Sequence, residues 1–568
     1  MKVRSVSFNG NSAFSEKRLF RLMLTKPSGF LSKSYYYPEI LEEDIANITL
    51  FYQNNGYLEI KVGEPVMSAD SANSEVAINI PIDEGPLTKV EGISVLGNDI
   101  FNDSTLLQKI KLKQGDSFKK SRIQEGMVAI ISLYADQGYL DAIVKPDIKI
   151  SYESHLAVID LVINENNQAT ISDIQIKELE KTREYVLKRE LNFKPGQVVS
   201  YSKLLSSQKR LYLTGLFESV FIRPISAPFN DPKQKTILIE VKEKYSGELN
   251  MAVGYGSTDK IRGKFEILNS NLFGTGRQAG ASLSASFIRR AIETSYSEPW
   301  TFGLRFKTDI NLIYEYLEEP GYDMGRFAAR LTVGKSLRKN SHIGLTYRFE
   351  EANLKNVEVT RIPATIDSRT RSLMLSLVYD TRDNLFNPKT GKYIEWTNEL
   401  AGSFLKGNNT FVRSILRLKG FYSYNPKTIF ASSLEIGWMN YFGASDDIPL
   451  NERFYTGGPN SIRGFGYQLV GPLEGEDIPL GGRFKVVWNL VEIRRVIYKL
   501  IGGAIFLDAG NVWSDIAHFH IKDLRLAAGP GFRANTPIGL MRFDLGINLF
   551  PDSPETTTKL HFNVGHSF

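Results

Sequence analysis

The sequence predicts a chain of two parts: α+β repeats of the order strand-helix-helix-strand-strand, followed by an all-β transmembrane barrel of about sixteen antiparallel strands. Two motifs recur in the front half, with offsets of 87 and 82 residues. The back half alternates apolar and polar residues and has little helical periodicity. No run approaches the ~20 apolar residues of a membrane helix, so the chain can cross a membrane only as a closed barrel.

The composition is compatible with this division. The 568 residues are too many for one core, while 42% hydrophobic and 23% charged residues are ordinary for soluble domains. The 26 tyrosines and 34 phenylalanines would supply the aromatic girdles of a barrel. The chain has 0 cysteines, which excludes disulfides and thiolate metal sites. The net charge of +6 is more typical of a solvated surface than of nucleic-acid binding.

The chain begins without the pattern of a signal peptide. Met1 leads directly into residues 2–8, Lys-Val-Arg-Ser-Val-Ser-Phe, which predict a β-strand. If the protein is secreted, we expect this sequence to be a mature form or a trimmed piece of a longer chain.

The front half contains a repeat. Residues 10–14 (Gly-Asn-Ser-Ala-Phe) recur at 97–101 as Gly-Asn-Asp-Ile-Phe. Residues 52–58 (Tyr-Gln-Asn-Asn-Gly-Tyr-Leu) recur at 134–140 as Tyr-Ala-Asp-Gln-Gly-Tyr-Leu, and residues 211–217 are a weaker third copy. This spacing predicts three repeat units ahead of the predicted barrel. We place their boundaries at 1–85, 86–165, 166–244 and 245–568.

Each unit carries signals for the ends of its helices. The first helix follows the Gly-Asn turn and should be capped near Ser15 or Ser104, since a serine oxygen accepts from first-turn amides. The second helix should end at the motif glycine, where a positive φ costs little. We expect these glycines and aromatics to build turns and cores, whereas binding would use the exposed sheet edge.

The back half has the two-residue period of β-strands. Residues 279–287 and 541–549 each place apolar side chains on one face and small or polar ones on the other. A soluble sandwich also alternates, but 324 residues at ~20 per strand and turn give about sixteen strands. We expect two side chains to face lipid, Leu545 and Phe562, and two to face the lumen, Asp544 and Asn563.

The chain ends on an aromatic residue inside a predicted strand. Phe562, Val564, His566 and Phe568 share one face of that strand. This ending resembles the C-terminal recognition signal of outer-membrane barrels, although His566 stands where such signals usually have an aromatic or aliphatic residue.

The repeats resemble POTRA domains, the periplasmic modules of the BamA/TamA outer-membrane protein assembly family. Three back-half segments are similar to segments of the same family: residues 456–465 (Thr-Gly-Gly-Pro-Asn-Ser-Ile-Arg-Gly-Phe), residues 506–513 (Phe-Leu-Asp-Ala-Gly-Asn-Val-Trp), and Asp-Thr-Arg-Asp at 380–383 with Pro388 and Gly391. Their order and spacing fit the family, so the resemblance covers essentially the whole chain.

The family's Arg-Gly-Phe tip matches Arg463, Gly464 and Phe465, on a loop that folds back into the barrel. The resemblance implies that Arg463 is a loop latch, with Asp508 as its matched partner; Glu492 is a second candidate. The residues allow a separate argument. The segment is about 40 residues long and rich in glycine, and a guanidinium can bind a carboxylate with two hydrogen bonds in a poorly solvated lumen.

A second candidate site is the barrel seam, where the first and last strands must meet. Gly254 and Gly256 lie in the first predicted strand and Gly565 in the last. Glycine weakens packing and pairing in a strand. These glycines therefore indicate either a seam that opens sideways to a client strand or simple curvature of the barrel.

The resemblance implies an outer-membrane protein assembly factor, in the bacterial outer membrane with its N-terminal domains in the periplasm. Its implied partners are unfolded outer-membrane protein clients, accessory subunits and the lipid bilayer, with no nucleic acid and no cofactor. We find no catalytic motif, and His518 with His520 lacks a third metal ligand, so we expect neither an enzyme nor a metal site.

Two alternative functions remain open. A two-partner-secretion transporter exports a dedicated protein through its barrel; such relatives typically have two docking domains preceded by a plug helix. Three repeats, with no plug helix evident in the sequence, favour the assembly factor. A passive pore or receptor would leave the repeats unexplained.

Overall fold

The computed structural model describes residues 1–28, 34–70, 74–227, 231–360, 366–385, 387–443, 445–536, 539–552 and 556–564. The chain forms two compact units. One contains residues 1–179 with 187–242, and the other contains residues 180–186 with 243–568.

The front half contains three successive sets of strands and helices. The first set is β1 (Lys2–Asn9), α1 (Glu16–Leu19), α2 (Pro38–Asn54), β2 (Lys61–Val62), β3 (Val66–Asp70) and β4 (Glu75–Asp83). The second is β5 (Lys89–Leu96), α3 (Asp103–Ile110), α4 (Lys120–Asp136), β6 (Ile143–Ser151) and β7 (Leu156–Asn164). The third is β8 (Thr170–Lys177), α5 (Glu184–Lys188), α6 (Tyr201–Leu213), β9 (Phe217–Ser226) and β10 (Gln234–Glu243).

The three sets share one sheet topology. The last strand lies in the middle of each sheet and pairs in parallel with the first strand, as β4 does with β1, β7 with β5 and β10 with β8. An edge strand completes each sheet: β3 with the short β2, then β6, then β9. In the first two sets, residues from the helices and the central strand form the buried core, as the predicted fold class requires.

The Gly-Asn motif forms the turn that follows the first strand. Gly10 has φ +93° and Gly97 has φ +80°, and a Cβ on either would overlap a carbonyl oxygen of the central strand. Ser15 occupies the N-cap of α1 without a side-chain hydrogen bond. The expectation for Ser104 was wrong: the N-cap of α3 is Asn102, whose side chain accepts from the Thr105 amide at 2.9 Å.

A buried tyrosine–glutamate pair recurs in the first two sets, and the sequence analysis missed it. The Tyr52 hydroxyl donates to Glu84 at 2.8 Å, and the Tyr134 hydroxyl donates to Glu165 at 2.7 Å. Burial, and then the hydrogen bond to the carboxylate, raise the pKa of each tyrosine above its usual range. These tyrosines begin the second motif, so this motif serves the core of its own domain.

The glycine of that second motif also contacts the next domain. The Gly56 carbonyl accepts from the Thr88 amide at 2.8 Å, and the Gly138 carbonyl accepts from the Ala169 amide at 2.9 Å. A Cβ on Gly138 would lie 2.6 Å from a Val198 methyl group. The motif therefore closes one domain and joins it to the next.

The back half is a closed antiparallel barrel of sixteen strands, which confirms the predicted fold class. The strands and the two short loop strands are, in chain order, β11 (Gly247–Gly256), β12 (Lys260–Leu272), β13 (Arg277–Ser286), β14 (Arg289–Glu298), β15 (Lys307–Glu319), β16 (Tyr322–Arg338), β17 (Ser341–Lys355), β18 (Asp367–Asp380), β19 (Gly391–Ala401), β20 (Phe411–Asn425), β21 (Thr428–Tyr441), β22 (Leu473–Glu474), β23 (Ile478–Pro479), β24 (Phe484–Tyr498), β25 (Ile501–Trp513), β26 (Arg525–Thr536), β27 (Gly539–Asn548) and β28 (Thr558–Val564). Short 3-10 turns lie at Ser403–Leu405, Leu450–Glu452, Ile516–His518 and Ile521–Asp523. The barrel order skips β22 and β23 and closes from β28 to β11.

The two faces of the barrel wall follow the two-residue period. Leu545 is exposed on the outside, and the Phe562 ring stacks on the outward Phe543 with 4.2 Å between centroids. Asp544 and Asn563 are buried and hydrogen-bonded to arginines inside the barrel. In the described part of the chain, none of the helices has the length and apolar character needed to cross a bilayer.

The predicted C-terminal signal is described only in part. Phe562 and Val564 lie in β28. Gly565, His566 and Phe568 lie outside the described residues, so their predicted roles stay predictions.

Candidate functional site

The candidate site is the loop of residues 442–483, which connects β21 to β24 and lies within the barrel. We call it the lumenal loop. Its two limbs pair with each other, since Phe454 and Gly482 exchange two backbone hydrogen bonds of 2.9 Å. Further in, the Val470 amide donates to the Thr456 carbonyl at 3.1 Å. Residues 457–466 form the end of this double limb, which we call the tip.

Glycine allows the tip to turn and to approach the barrel wall. Gly457 and Gly458 have φ values of +112° and +104°, in the region that favours glycine. Gly464 packs against β26, and a Cβ there would lie 2.6 Å from the Ala527 Cβ. Phe465 is buried beside Ala527 in an apolar cluster, so both residues that follow Arg463 serve contact with the wall.

Arg463 lies inside the barrel and contacts both candidate partners. Its Nε and Nη2 donate to the two oxygens of Asp508 at 2.7 and 2.8 Å, the two-pronged geometry of a strong ion pair. Its Nη1 donates to Glu492 at 2.5 Å. The guanidinium carbon lies 3.5 Å from the centroid of the Phe506 ring, an additional cation–π contact.

The wall around Arg463 comes from five consecutive strands. Glu492 lies on β24, Asp508 on β25, Arg533 on β26, Asp544 on β27 and His561 on β28. Arg533 donates to Asp544 at 2.6 Å, and Arg494 donates to Glu492 at 2.7 Å. Three arginines, Arg463, Arg494 and Arg533, therefore pair with carboxylates here, and these pairs compensate the cost of burying the charges.

A β-bulge places Glu492 in this site. Asn489 donates to Asp508 at 2.9 Å, so Asn489 and Glu492 both face inward although they are three residues apart. A regular strand would put them on opposite faces. The register between β24 and β25 shifts between Asn489 and Val491, and this shift brings both side chains inside.

The tip also touches the last strand. The His561 Nε2 donates to the Arg463 carbonyl oxygen at 2.7 Å. A Cβ on Gly546 of β27 would overlap the same carbonyl oxygen. The backbone at Arg463 is thus fixed by strands that adjoin the barrel seam.

The sequence analysis missed a second anchor of the loop at Glu452. This carboxylate is 2% exposed and accepts from Arg348 at 2.8 Å, Thr370 at 2.9 Å and Arg413 at 3.1 Å. Both arginines also pair with Glu399 of β19. The only signal in the sequence was an acidic residue in a long glycine-rich loop, which is not specific.

A third, weaker anchor follows the tip. Glu319, at the end of β15, accepts from Gln468 at 2.9 Å and from the Tyr467 hydroxyl at 3.4 Å. The lumenal loop is therefore held by three sectors of the wall: β24–β28, β17–β20 and β15.

The predicted seam glycines lie where the first and last strands meet. Within the described residues, which end at Val564, β11 pairs with β28 at Tyr255–Val564 and Gly256–Asn563. Gly254 and Gly256 face the lumen, and the outward residues of β11 include Val253, which is 72% exposed. Gly565 lies outside the described residues.

The family model of the Omp85 superfamily domain matches residues 271–568, more than half of the chain. The chain belongs to the Omp85 superfamily. A POTRA model, the surface antigen variable number repeat, matches the front of this Omp85 chain at residues 1–85, 88–166 and 169–244. The resemblance to the assembly family that the sequence suggested is thereby confirmed, and the barrel is an outer-membrane barrel.

Two relatives of this Omp85 chain are outer membrane protein assembly factors BamA. The protein from Nitratidesulfovibrio vulgaris is 25% identical over 591 residues, which cover 100% of this chain and 73% of that one. The protein from Neorickettsia risticii is 24% identical over 589 residues, with coverages of 100% and 78%. The crystal structure of BamA from Haemophilus ducreyi lacking POTRA domains 1–3 matches with a TM-score of 0.72 at 21% identity, covering 84% of this chain and 99% of that one. That structural likeness shows a shared fold.

Proposed function

We propose that this Omp85 protein is an outer-membrane protein assembly factor: its periplasmic POTRA domains bind unfolded client barrels by strand addition, and the barrel seam assists their insertion. The curated relatives named above carry that function in their names. No cofactor is needed, because client folding and burial in lipid supply the free energy.

The observation that carries the proposal is the occupied lumen. The lumenal loop crosses it and is fixed through Arg463, Glu452 and the Glu319 contacts. A passive pore would require the loop to leave the lumen and break these contacts. Breaking one buried ion pair by removing a partner costs about 3–5 kcal/mol, so this structure disfavours a passive pore. The wall, and the seam in particular, is the remaining route to the membrane.

The POTRA domains offer sheet edges to an extended client segment. Among the described residues, β3, β6 and β9 pair on one side with the central strand of their sheets. Pro146 in β6 and Pro224 in β9 each remove a backbone donor from the edge. The strand β3 contains no proline, and its Val66 and Met67 are 64% and 49% exposed. We therefore assign strand addition first to β3.

Client assembly by purified protein in lipid vesicles tests this function. Removal of residues 1–165 should leave a barrel that still folds in detergent but assembles clients poorly, because each repeat has its own core. Full client assembly by the truncated protein would refute the role of the domains.

A milder variant tests the β3 edge in the full chain. Val66→Lys with Met67→Lys should slow client assembly, because charged edge residues oppose strand addition. The matched control is Leu50→Lys with Val128→Lys, which also replaces two exposed apolar side chains by lysine but does so on helices. Equal effects of the two pairs would exclude β3 as the docking edge.

A further inference from the structure

The side chain of Arg262 spans the barrel seam from inside. Arg262 lies on β12 and is 5% exposed. Its Nη2 donates to the Asn563 side-chain oxygen at 2.7 Å and to the Val564 carbonyl oxygen at 3.3 Å, both on β28. The guanidinium therefore joins the second strand of the barrel to the last strand, across the first strand.

Two glycines of β11 leave the space for this side chain. A Cβ on Gly254 would lie 2.9 Å from Arg262 Nε and 2.7 Å from the Val564 carbonyl oxygen. A Cβ on Gly256 would overlap Asp259, which accepts from Arg262 Nη1 at 2.8 Å and orients the guanidinium. Any larger residue at either position forces this arrangement to shift.

The contact adds to the backbone pairing between β11 and β28, which is described up to Val564. Hydrogen bonds from a charged donor are roughly twice as strong as neutral ones. The charged side chain of Arg262 therefore strengthens the attachment of β28 at this end of the seam.

We propose that Arg262 is a crossbar that holds the seam closed from the lumen. Gly254 and Gly256 are glycines because a larger side chain at either position would displace this arrangement. One of its acceptors is a main-chain carbonyl, which every β-strand offers. The same guanidinium can thus bind a client strand that replaces β28 beside β11. This last step rests on the proposed function, whereas closure of the barrel does not.

Spin labels across the seam test the crossbar in the absence of client. The chain has 0 cysteines, so Ile261→Cys and Leu560→Cys, 60% and 63% exposed on the outside of β12 and β28, give a single labelled pair. In the full chain in lipid vesicles, Arg262→Met should raise the population with a long label distance by about tenfold or more, because the variant loses both hydrogen bonds of the guanidinium to β28. Asn563→Ala, which keeps the arginine and removes one acceptor, should act in the same direction.

Arg417→Met is the matched control, because Arg417 pairs inside the barrel with Glu395 and Glu435 at 2.9 Å, away from the seam. An unchanged distance distribution in both Arg262→Met and Asn563→Ala overturns the crossbar, as does an equal change in Arg417→Met. If Arg262→Met does not fold, Asn563→Ala decides the matter alone. A seam that opens without any change in client assembly would retain the crossbar and reject the seam as the client route.

Discussion

Two anchors of the lumenal loop use opposite charges. At the tip, the loop supplies the cation Arg463 to carboxylates of the wall, and upstream it supplies the anion Glu452 to arginines of the wall. Among the described residues, Asp508 has Arg463 as its single cationic partner, whereas Arg348 also pairs with Glu399. In the described part of the barrel, Asp508 depends on Arg463 alone for its counter-charge, although Arg463 also binds Glu492. The arginines that bind Glu452 keep Glu399 as a second partner, so the two anchors should respond differently to substitution.

Arg463→Ala should have the largest effect. It leaves Asp508, which is 0% exposed, without a counter-charge, and breaking a buried pair in this way costs about 3–5 kcal/mol. We expect the barrel to unfold at a lower denaturant concentration. A cysteine at Ile462, a position that is 0% exposed, should become reactive toward a hydrophilic thiol reagent.

Arg417→Ala is the control for this experiment, since it removes two lumenal ion pairs that Arg417 makes with carboxylates of the wall and not with the loop. Arg463→Lys should fall between wild type and alanine, because an ammonium cannot make the two-pronged contact. Continued protection of the cysteine at 462 in Arg463→Ala would contradict the latch.

A double-mutant cycle tests how strongly Asp508 depends on Arg463. Arg463→Ala combined with Asp508→Ala should destabilise the barrel by less than the sum of the two single changes, because the second change removes the uncompensated carboxylate. Denaturant unfolding of the four proteins measures this coupling. Strict additivity would mean that the two side chains do not act as a pair.

Glu452→Gln should cost less, about 1–3 kcal/mol, because Glu399 still compensates both arginines. A cysteine at Leu450 reports release of this part of the loop, since that position is 2% exposed. The same change should cost more in a Glu399→Gln background, where Arg348 keeps only Glu350 and Arg413 loses both of its described carboxylate partners. An equal cost in both backgrounds would show that the network is not shared.

The smallest effect should come from Glu319→Gln. The glutamine keeps an acceptor for Gln468 and Tyr467, so we expect a loss of about 0.5–1.5 kcal/mol in the free energy of unfolding. A loss as large as that of Arg463→Ala would place the main anchor of the loop at β15 instead of at the tip.

The sequence predicted the parts of this molecule that depend on period and motif. The length of the back half gave the strand count, and the two-residue alternation gave the faces of Leu545 and Asp544. The Arg-Gly-Phe segment pointed to Arg463. The Gly-Asn turns were recognisable because only glycine fits there: its backbone has a positive φ, and a carbonyl oxygen of the central strand lies where a Cβ would be.

What the sequence did not predict depends on tertiary contacts. Glu452 belongs to no motif, and its arginines come from strands far away in the chain. The bulge after Asn489 breaks the alternation that places side chains inside or outside. Gly254 and Gly256 were noticed for the weakness of glycine in strands, but the structure shows a large side chain beside them.

The long sequence separation of the loop contacts has a consequence for the order of folding. Glu452 meets Arg348 across 104 residues, Gln468 meets Glu319 across 149, and Arg463 meets His561 across 98 in the other direction. Contacts between distant residues form slowly, because the chain must first lose the entropy of the intervening segments. The loop can therefore settle only after strands on both of its sides are in register. We therefore expect docking of the loop to be a late step in the maturation of the barrel.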